Sequence, residues 1–480
     1  MPGFIEVISN IITNRYFIAS VVIVLNLIAF VYIIWRSQGV ERTLSWLFAV
    51  IAFPVLGALM FFILTHQPIK QSKKRKRKVK KIVGSTTPDI PLKTASTANG
   101  QILNLAYAVS GYEASYNNNI EILTEDTDAF KTISKKVQNA RKFIWVEYYI
   151  IKKDETGRRF MKLLADIAST GIEVRVLFDA YGSWGLDPKS VKEIKDAGGK
   201  VETFNPFNPF RSRWSFHLRN HRKLIVIDGE IAFTGGMNIS DEYSGRNRRR
   251  GLEHFRDTHL MVSGDAVNNL ANVFREDWAY ATGGEVLPEI PTNTNETGES
   301  TVAVLPSDPD QFQNATAMVF FEALNNAKKS ILLTSPYFIP DEPIIRALEC
   351  AALRGVDVKI IVPFKSDVLL AHLAAVSYYA QLIPLGVKVY EYKPSMLHAK
   401  TLIIDDNISI VGSANMDIRS FRLNFELNVL IIDEKVAREL KNKFMHDLQN
   451  SKYIDPLIFS KRGLRKRMVE RLTRLLSPLL

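Results

Sequence analysis

Two long apolar runs stand at the head of the chain. Phe17 to Trp35 gives 19 residues without a charge and Leu44 to Leu64 gives 21 more, separated by the eight residues Arg36 to Thr43. A helix rises about 1.5 Å per residue, so each run is long enough to cross about 30 Å of hydrocarbon. The pattern predicts a hairpin of two membrane spans, 17–35 and 44–64. A cleaved signal peptide would show a shorter apolar core and a small-residue cleavage site, not a second span. Pro54 and Gly57 lie in the second run, where membrane helices tolerate such residues.

From about residue 116 the pattern changes to short β-branched runs alternating with stretches of helical period, such as 157–169 and 343–354. Gly171-Ile-Glu-Val-Arg-Val-Leu177 resembles Gly355-Val-Asp-Val-Lys-Ile-Ile361, and the segment 199–206 answers 386–394 with one residue more. The likeness is strongest between His221-Arg-Lys-Leu-Ile-Val-Ile-Asp228 and His398-Ala-Lys-Thr-Leu-Ile-Ile-Asp405. His, Lys, Asp, Gly and Asn recur at a constant offset of 177 residues, from His221 and His398 through to Asn238 and Asn415. One α/β unit, a sheet covered by helices, is therefore used twice. The expected domains are 1–81 (hairpin and basic tract), 82–115 (connector), 116–290 (first unit), 291–300 (polar linker), 301–455 (second unit) and 456–480 (tail). The stretch 207–216 is an insertion in the first copy, and its mixed aromatics and arginines suit a lid at a lipid interface.

The chain has 480 residues, 46% hydrophobic and 23% charged, which excludes global disorder. Its single cysteine, Cys350, excludes a disulfide framework and a Cys-rich zinc site. The net charge is +12, but +9 lies in residues 70–81 and +6 in residues 461–480, which leaves −3 on the other 448 residues. A nucleic-acid binder would be expected to carry a basic stripe on its folded body, so this distribution argues against nucleic acid and for a membrane. Nine cations just after the second run place residue 70 onward in the cytoplasm by the positive-inside rule. In the tail, Leu464, Met468, Leu472, Leu475, Leu476 and Leu479 fall on one side of a helix, with Lys466, Arg467, Arg471 and Arg474 on the other, while Arg465 breaks the pattern. That helix suits either a membrane interface or packing on the body.

A lone His-x-Lys on a strand is weak evidence of chemistry. Two matching sets in domains related by a pseudo-twofold can bring His221, His398, Lys223, Lys400, Asn238 and Asn415 to one cleft. Two ammonium groups with amide donors form a receptor for a phosphodiester anion. One imidazole attacks phosphorus while the other protonates the leaving oxygen, and an alcohol then attacks the phosphohistidine. The glycine turns at Gly235-Gly236 and Gly412-Ser413 let the backbone approach a ligand, which makes Gly235 and Ser413 candidate substrate contacts. The lysines supply charge neutralisation, so the scheme calls for no metal and no cofactor. The sequence has no P-loop and no dinucleotide fingerprint.

The pattern H-x-K-x4-D-x6-G-[GS]-x-N, present twice, resembles the phospholipase D superfamily, and nearly the whole chain is similar to bacterial cardiolipin synthases. Ser335-Pro-Tyr-Phe-Ile-Pro-Asp341, Arg256-Asp-Thr-His259 and Val411–Phe421 carry further likeness. The resemblance implies transfer of a phosphatidyl group between two phosphatidylglycerol molecules, giving cardiolipin and glycerol, by a multi-pass enzyme of the bacterial cell membrane with cytoplasmic catalytic domains. It implies that His221 is the nucleophile and His398 the general acid/base, and that Lys223, Lys400, Asn238 and Asn415 hold phosphate. Asp257 and Glu426 would orient the histidines. Asp228 and Asp405 complete the catalytic motif, though in such folds they tend to hold structure. Two departures stand out: Gly236 where the second motif has Ser413, and a basic cluster, 246–250, suited to lipid headgroups. A phosphodiesterase acting on lipid or nucleic acid with water as acceptor uses the same residues. A non-catalytic scaffold is disfavoured by the two intact sets.

Overall fold

The computed structural model describes residues 15–35, 40–65, 75–76, 78–80, 82–83, 97–124, 126–206, 218–249, 251, 253–290, 298–309 and 314–477. The insertion 207–216, most of the linker 291–300 and Arg250 lie outside these residues. The chain forms two compact units, Met1–Gln71 and Ser72–Leu480.

The first unit holds α1 (Arg15–Trp35), α2 (Val40–Ala52) and α3 (Pro54–Thr65). The second apolar run was expected as one helix, and the structure divides it at Phe53. Proline has no N–H and its ring disfavours helical backbone in the residue before it, so α2 ends where Phe53 N–H meets the Ala49 carbonyl at 3.0 Å. Side chains in α1 are described from Ala19 onward, and among the described residues no helix is long and apolar enough to cross a membrane. Ala29, Ile33, Val50, Ala58 and Phe61 pack together, whereas Ile23, Leu27, Val31, Phe48 and Ile51 are exposed.

The second unit is built on a sixteen-stranded mixed sheet. The first copy supplies β1 (Ser115–Leu123), β2 (Phe143–Tyr148), β3 (Glu173–Asp179), β4 (Lys200–Phe204), β5 (Lys223–Ile227), β6 (Ile231–Gly235) and β7 (His259–Ser263). The second supplies β8 (Ser300–Ser307), β9 (Ser330–Thr334), β10 (Asp357–Pro363), β11 (Lys388–Tyr392), β12 (Thr401–Ile404), β13 (Ile408–Gly412), β14 (Asn424–Ile432) and β15 (Ser451–Tyr453). Outward from the centre the first copy runs β1-β7-β6-β5-β2-β3-β4 and the second runs β8-β14-β13-β12-β9-β10-β11, with β15 at its edge. Corresponding strands thus occupy corresponding places. At the centre β1 and β8 pair antiparallel, Ser115 facing Val302 and Asn118 facing Ser300, which joins the copies into one sheet.

Helices α4 (Glu155–Ala168), α5 (Ala266–Thr282), α6 (Glu342–Leu353), α7 (Leu369–Leu382), α8 (Glu434–Gln449) and α9 (Leu464–Arg474) belong to the same unit. Both α4 and α6 open on Asp-Glu. Asp154 caps Gly157 N–H and Asp341 caps Ile344 N–H, with the glutamates favourably placed in the first turn. Each copy has its own apolar core between sheet and helices. Ile144, Val176, Ile225 and Phe233 meet Phe160 and Leu164 in the first, and Ile331, Ile360, Leu402 and Leu430 meet Ile345 and Leu348 in the second. The repeat, its strands and its two framing helices were legible from the hydrophobic pattern. Lys76, from the basic tract grouped with the hairpin in the sequence, belongs to the second compact unit and is fully buried there.

Candidate active site

His221 and His398 each precede the strand that carries their motif, and each is held by the opposite copy. The two-residue strand Arg219–Asn220 pairs with Asn424–Phe425, and Phe255–Arg256 pairs with Met396–Leu397. His221 N–H donates to the Phe425 carbonyl at 2.8 Å, and His398 N–H donates to the Arg256 carbonyl at 2.7 Å. The residues that follow these carbonyls are the carboxylates. Glu426 Oε2 lies 3.0 Å from His221 Nδ1, and Asp257 Oδ2 lies 2.7 Å from His398 Nδ1. Each copy therefore supplies one histidine and the carboxylate for the other's, a crossing that the sequence did not reveal.

The register shows Asp257 and Glu426 to be equivalent. His259 faces Gly235 and Asn428 faces Gly412, so both carboxylates stand two residues before a matched position. Their unequal spacing, nineteen residues after Asn238 against eleven after Asn415, places eight extra residues in the first copy, in the segment 239–256 that carries Tyr243 and Arg246.

His221 Nδ1 also lies 3.0 Å from the Ser413 carbonyl, so both of its neighbours there are acceptors. The proton must sit on Nδ1, and the lone pair is left on Nε2. His398 Nδ1 faces Asp257, with the Tyr243 hydroxyl at 3.1 Å and Lys400 Nζ at 2.5 Å. Burial holds both imidazoles below their ordinary pKa, His398 at about 4 with Lys400 adding to the effect. Burial alone would raise Glu426 and Asp257, yet His221 beside Glu426, and Lys400 and His398 beside Asp257, bring both carboxyls below the usual range. An aromatic flanks each ring: Tyr149 lies edge-on to His221 at 4.8 Å and Phe255 stacks on His398 at 5.5 Å.

Lys223 Nζ donates to the His221 carbonyl at 2.7 Å, and Lys400 Nζ donates to the His398 carbonyl. Burial lowers Lys223 to about 7, with Lys400 contributing, and lowers Lys400 to about 8. Asn238 and Asn415 are buried, and the side-chain oxygen of each has no hydrogen-bond partner. Those oxygens accept and do not donate, so the charge that would meet an anion here is that of the two lysines, and the amides could contribute only through their Nδ2 groups.

Other expected site residues turn out to do different work. Asp228 accepts from the N–H groups of Arg141, Lys142 and Phe143, and Asp405 from those of Lys328, Lys329 and Ser330. Both stand at the far ends of β5 and β12 from the histidines, so they lock strand ends and do not reach the reacting groups. Ser413 Oγ donates to Glu426 at 2.5 Å and accepts from Leu427 N–H, which makes it a support for the carboxylate. Gly235 pairs with His259, so the close approach there is to β7. At Gly236 a Cβ would stand 2.1 Å from Asp257 Oδ1. Glycine replaces the serine at this position because the shorter Asp257 occupies that space.

The sequence matches the family described as cardiolipin synthase, PLD-like domain, over residues 133–278 and 320–448. Residues 24–64 match one described as phospholipase D-nuclease N-terminal. A cardiolipin synthase of Alkalihalophilus pseudofirmus is 36% identical over 474 residues, covering 96% of this chain and 93% of its own. One of Staphylococcus aureus is 36% identical over 492 residues, covering 98% of each. The chain belongs to the phospholipase D-like cardiolipin synthase family. The solved phosphatidylserine synthase of Haemophilus influenzae shares the fold, with a TM-score of 0.60 at 15% identity over 79% of this chain and all of that one.

Around this cardiolipin synthase centre the structure adds residues the motif does not name. Arg222, between His221 and Lys223, donates from Nε to the Glu426 carbonyl at 3.1 Å and reaches Asp277 and, at 2.5 Å, Asp308. Lys76 joins them, 2.5 Å from Asp277. All four are buried, and the two aspartates balance the two cations. Burial of Glu147, with Asp277 beside it, pushes its carboxyl well above the usual range. Tyr243 ties Asn238 Nδ2, at 3.2 Å, to His398. Arg246, from the basic cluster, lines a cavity of about 360 Å³ with Lys131, Lys135 and Arg159. Arg246 and Lys76 were marked in the sequence by their basic tracts, whereas Glu147, Tyr243, Asp277 and Asp308 carried no signal there.

Proposed function

We propose that the protein is a membrane-attached cardiolipin synthase that transfers a phosphatidyl group from one phosphatidylglycerol to another and releases glycerol. The observation that carries this reading is the crossed pair of histidines, each with its Nδ1 on a buried carboxylate of the other copy and each accompanied by a lysine. His221 Nε2 attacks phosphorus, forming the P–N bond as the bond to the glycerol oxygen breaks. His398, charged when the anionic lipid and Asp257 offset its burial, gives that oxygen a proton. A hydroxyl of a second phosphatidylglycerol then attacks phosphorus, His398 takes its proton, and the P–N bond breaks. Lys223, Lys400, Asn238 and Asn415 hold the phosphate oxygens throughout. Full-length relatives named cardiolipin synthase favour an alcohol as acceptor over water.

The apolar runs 17–35 and 44–64 attach the enzyme to a bacterial membrane, two crossings with the catalytic halves, 116–290 and 301–455, on the cytoplasmic side. The exposed apolar side chains of the first unit and the cations of residues 70–81 support this. Product analysis with phosphatidylglycerol vesicles tests the reaction. Cardiolipin and glycerol in equal amounts are expected; phosphatidic acid as the main product would replace transfer by hydrolysis.

A further inference from the structure

Amphipathic helices on a protein body ordinarily bury their apolar face. Helix α9 is docked the other way round. Its polar side faces inward: Glu470, Thr473 and Ser477 are buried, Glu470 pairs with Arg462 at 3.1 Å, and the Ser477 and Tyr378 hydroxyls meet at 3.1 Å. Arg474 lies over the Tyr378 ring at 4.1 Å and reaches Gln381 at 3.3 Å. These contacts fix the helix on α7 and set its rotation. The opposite face is left to solvent, with Leu464 at 72%, Met468 at 55%, Leu472 at 60% and Leu475 at 75% exposure. Just before it, Leu457 and Ile458 are each 73% exposed.

We propose that this face is a second membrane contact, lying in the headgroup and upper acyl region of an anionic bilayer while the body stays docked behind it. The charges select the occupant. Arg465, Lys466, Arg467 and Arg471 are exposed around the stripe, and residues 461–480 carry +6 overall. A second copy laid on the same face would bring like charges together, whereas anionic headgroups would neutralise them as the leucines enter the lipid. The contact is independent of the bond the catalytic centre breaks and of the N-terminal runs. It would hold the body at the bilayer by its C-terminal end as well.

The test uses the full chain reconstituted in bilayers, with Cys350→Ser as background and one fluorophore attached at Met468→Cys or Lys466→Cys. In phosphatidylglycerol bilayers, spin-labelled acyl chains should quench the probe at 468 several-fold more than the probe at 466; in phosphatidylcholine the difference should shrink. Equal quenching at the two positions, or none at either, would overturn the proposal. So would energy transfer between protomers through probes at 468, which would give the face to a second copy. As an independent check, a Leu464→Ser, Met468→Ser, Leu472→Ser variant should lose at least several-fold activity on vesicles and keep it on phosphatidylglycerol in mixed micelles. Equal activity on both would also contradict it.

Discussion

A carboxylate that accepts from Nδ1 of a histidine decides which nitrogen is left to react. Replacing Glu426 by Gln, or Asp257 by Asn, keeps the shape but allows the other tautomer. Each change should lower kcat by about 10²- to 10⁴-fold with a much smaller effect on KM, measured as initial rates of product formation. An unchanged kcat would remove the carboxylates from the mechanism. Gly236→Ala should be damaging for a different reason: its Cβ would meet Asp257 Oδ1 at 2.1 Å, so Asp257 must leave His398. A loss of about 1–3 kcal/mol in stability is expected together with a fall in kcat, seen in a thermal melt and a rate assay. The lysines set a pH dependence. Burial lowers Lys223 to about 7 and Lys400 to about 8, so raising the pH through this range removes the charge that attracts the lipid. KM for phosphatidylglycerol should therefore rise between pH 7 and 9, and a flat KM would contradict it. The histidines and lysines that the fold brings together stood out in the sequence because one offset repeats them. The crossing did not, because partners across two copies leave no mark in spacing.

At the scale of elements, alternation and helical period located the strands and framing helices to within a few residues. They failed where a local rule met a longer one. Pro54 ends a helix inside a run whose hydropathy is continuous, and a tract read as basic and membrane-adjacent sends Lys76 into a buried ion cluster with Asp277, Asp308 and Arg222. Composition shows that such a tract is basic but not which cation finds acidic partners. Removing one member of a buried, balanced set leaves a charge unpaired, so Lys76→Met should cost about 3–5 kcal/mol. Melting of the purified protein would check this. The double variant with Asp308→Asn should recover part of the loss, because the two sites are coupled.

For the molecule as a whole, duplication has a functional meaning. The copies are fused through β1 and β8 into one sheet, and each lacks a carboxylate for its own histidine. The site is therefore assembled within one chain. Mixing the inactive variants His221→Ala and His398→Ala should not restore activity, and recovery on mixing would show a site shared between chains. Chain length and the constant offset made the double architecture readable; how the halves trade residues required the fold. The most direct measurement is rapid-quench trapping with phosphatidylglycerol labelled at phosphorus, followed by mass-spectrometric mapping of the labelled peptide. A phosphatidyl group on His221, appearing before cardiolipin and lost as cardiolipin forms, is expected. Label on His398 alone, or product formed with no covalent intermediate on either histidine, would contradict the mechanism.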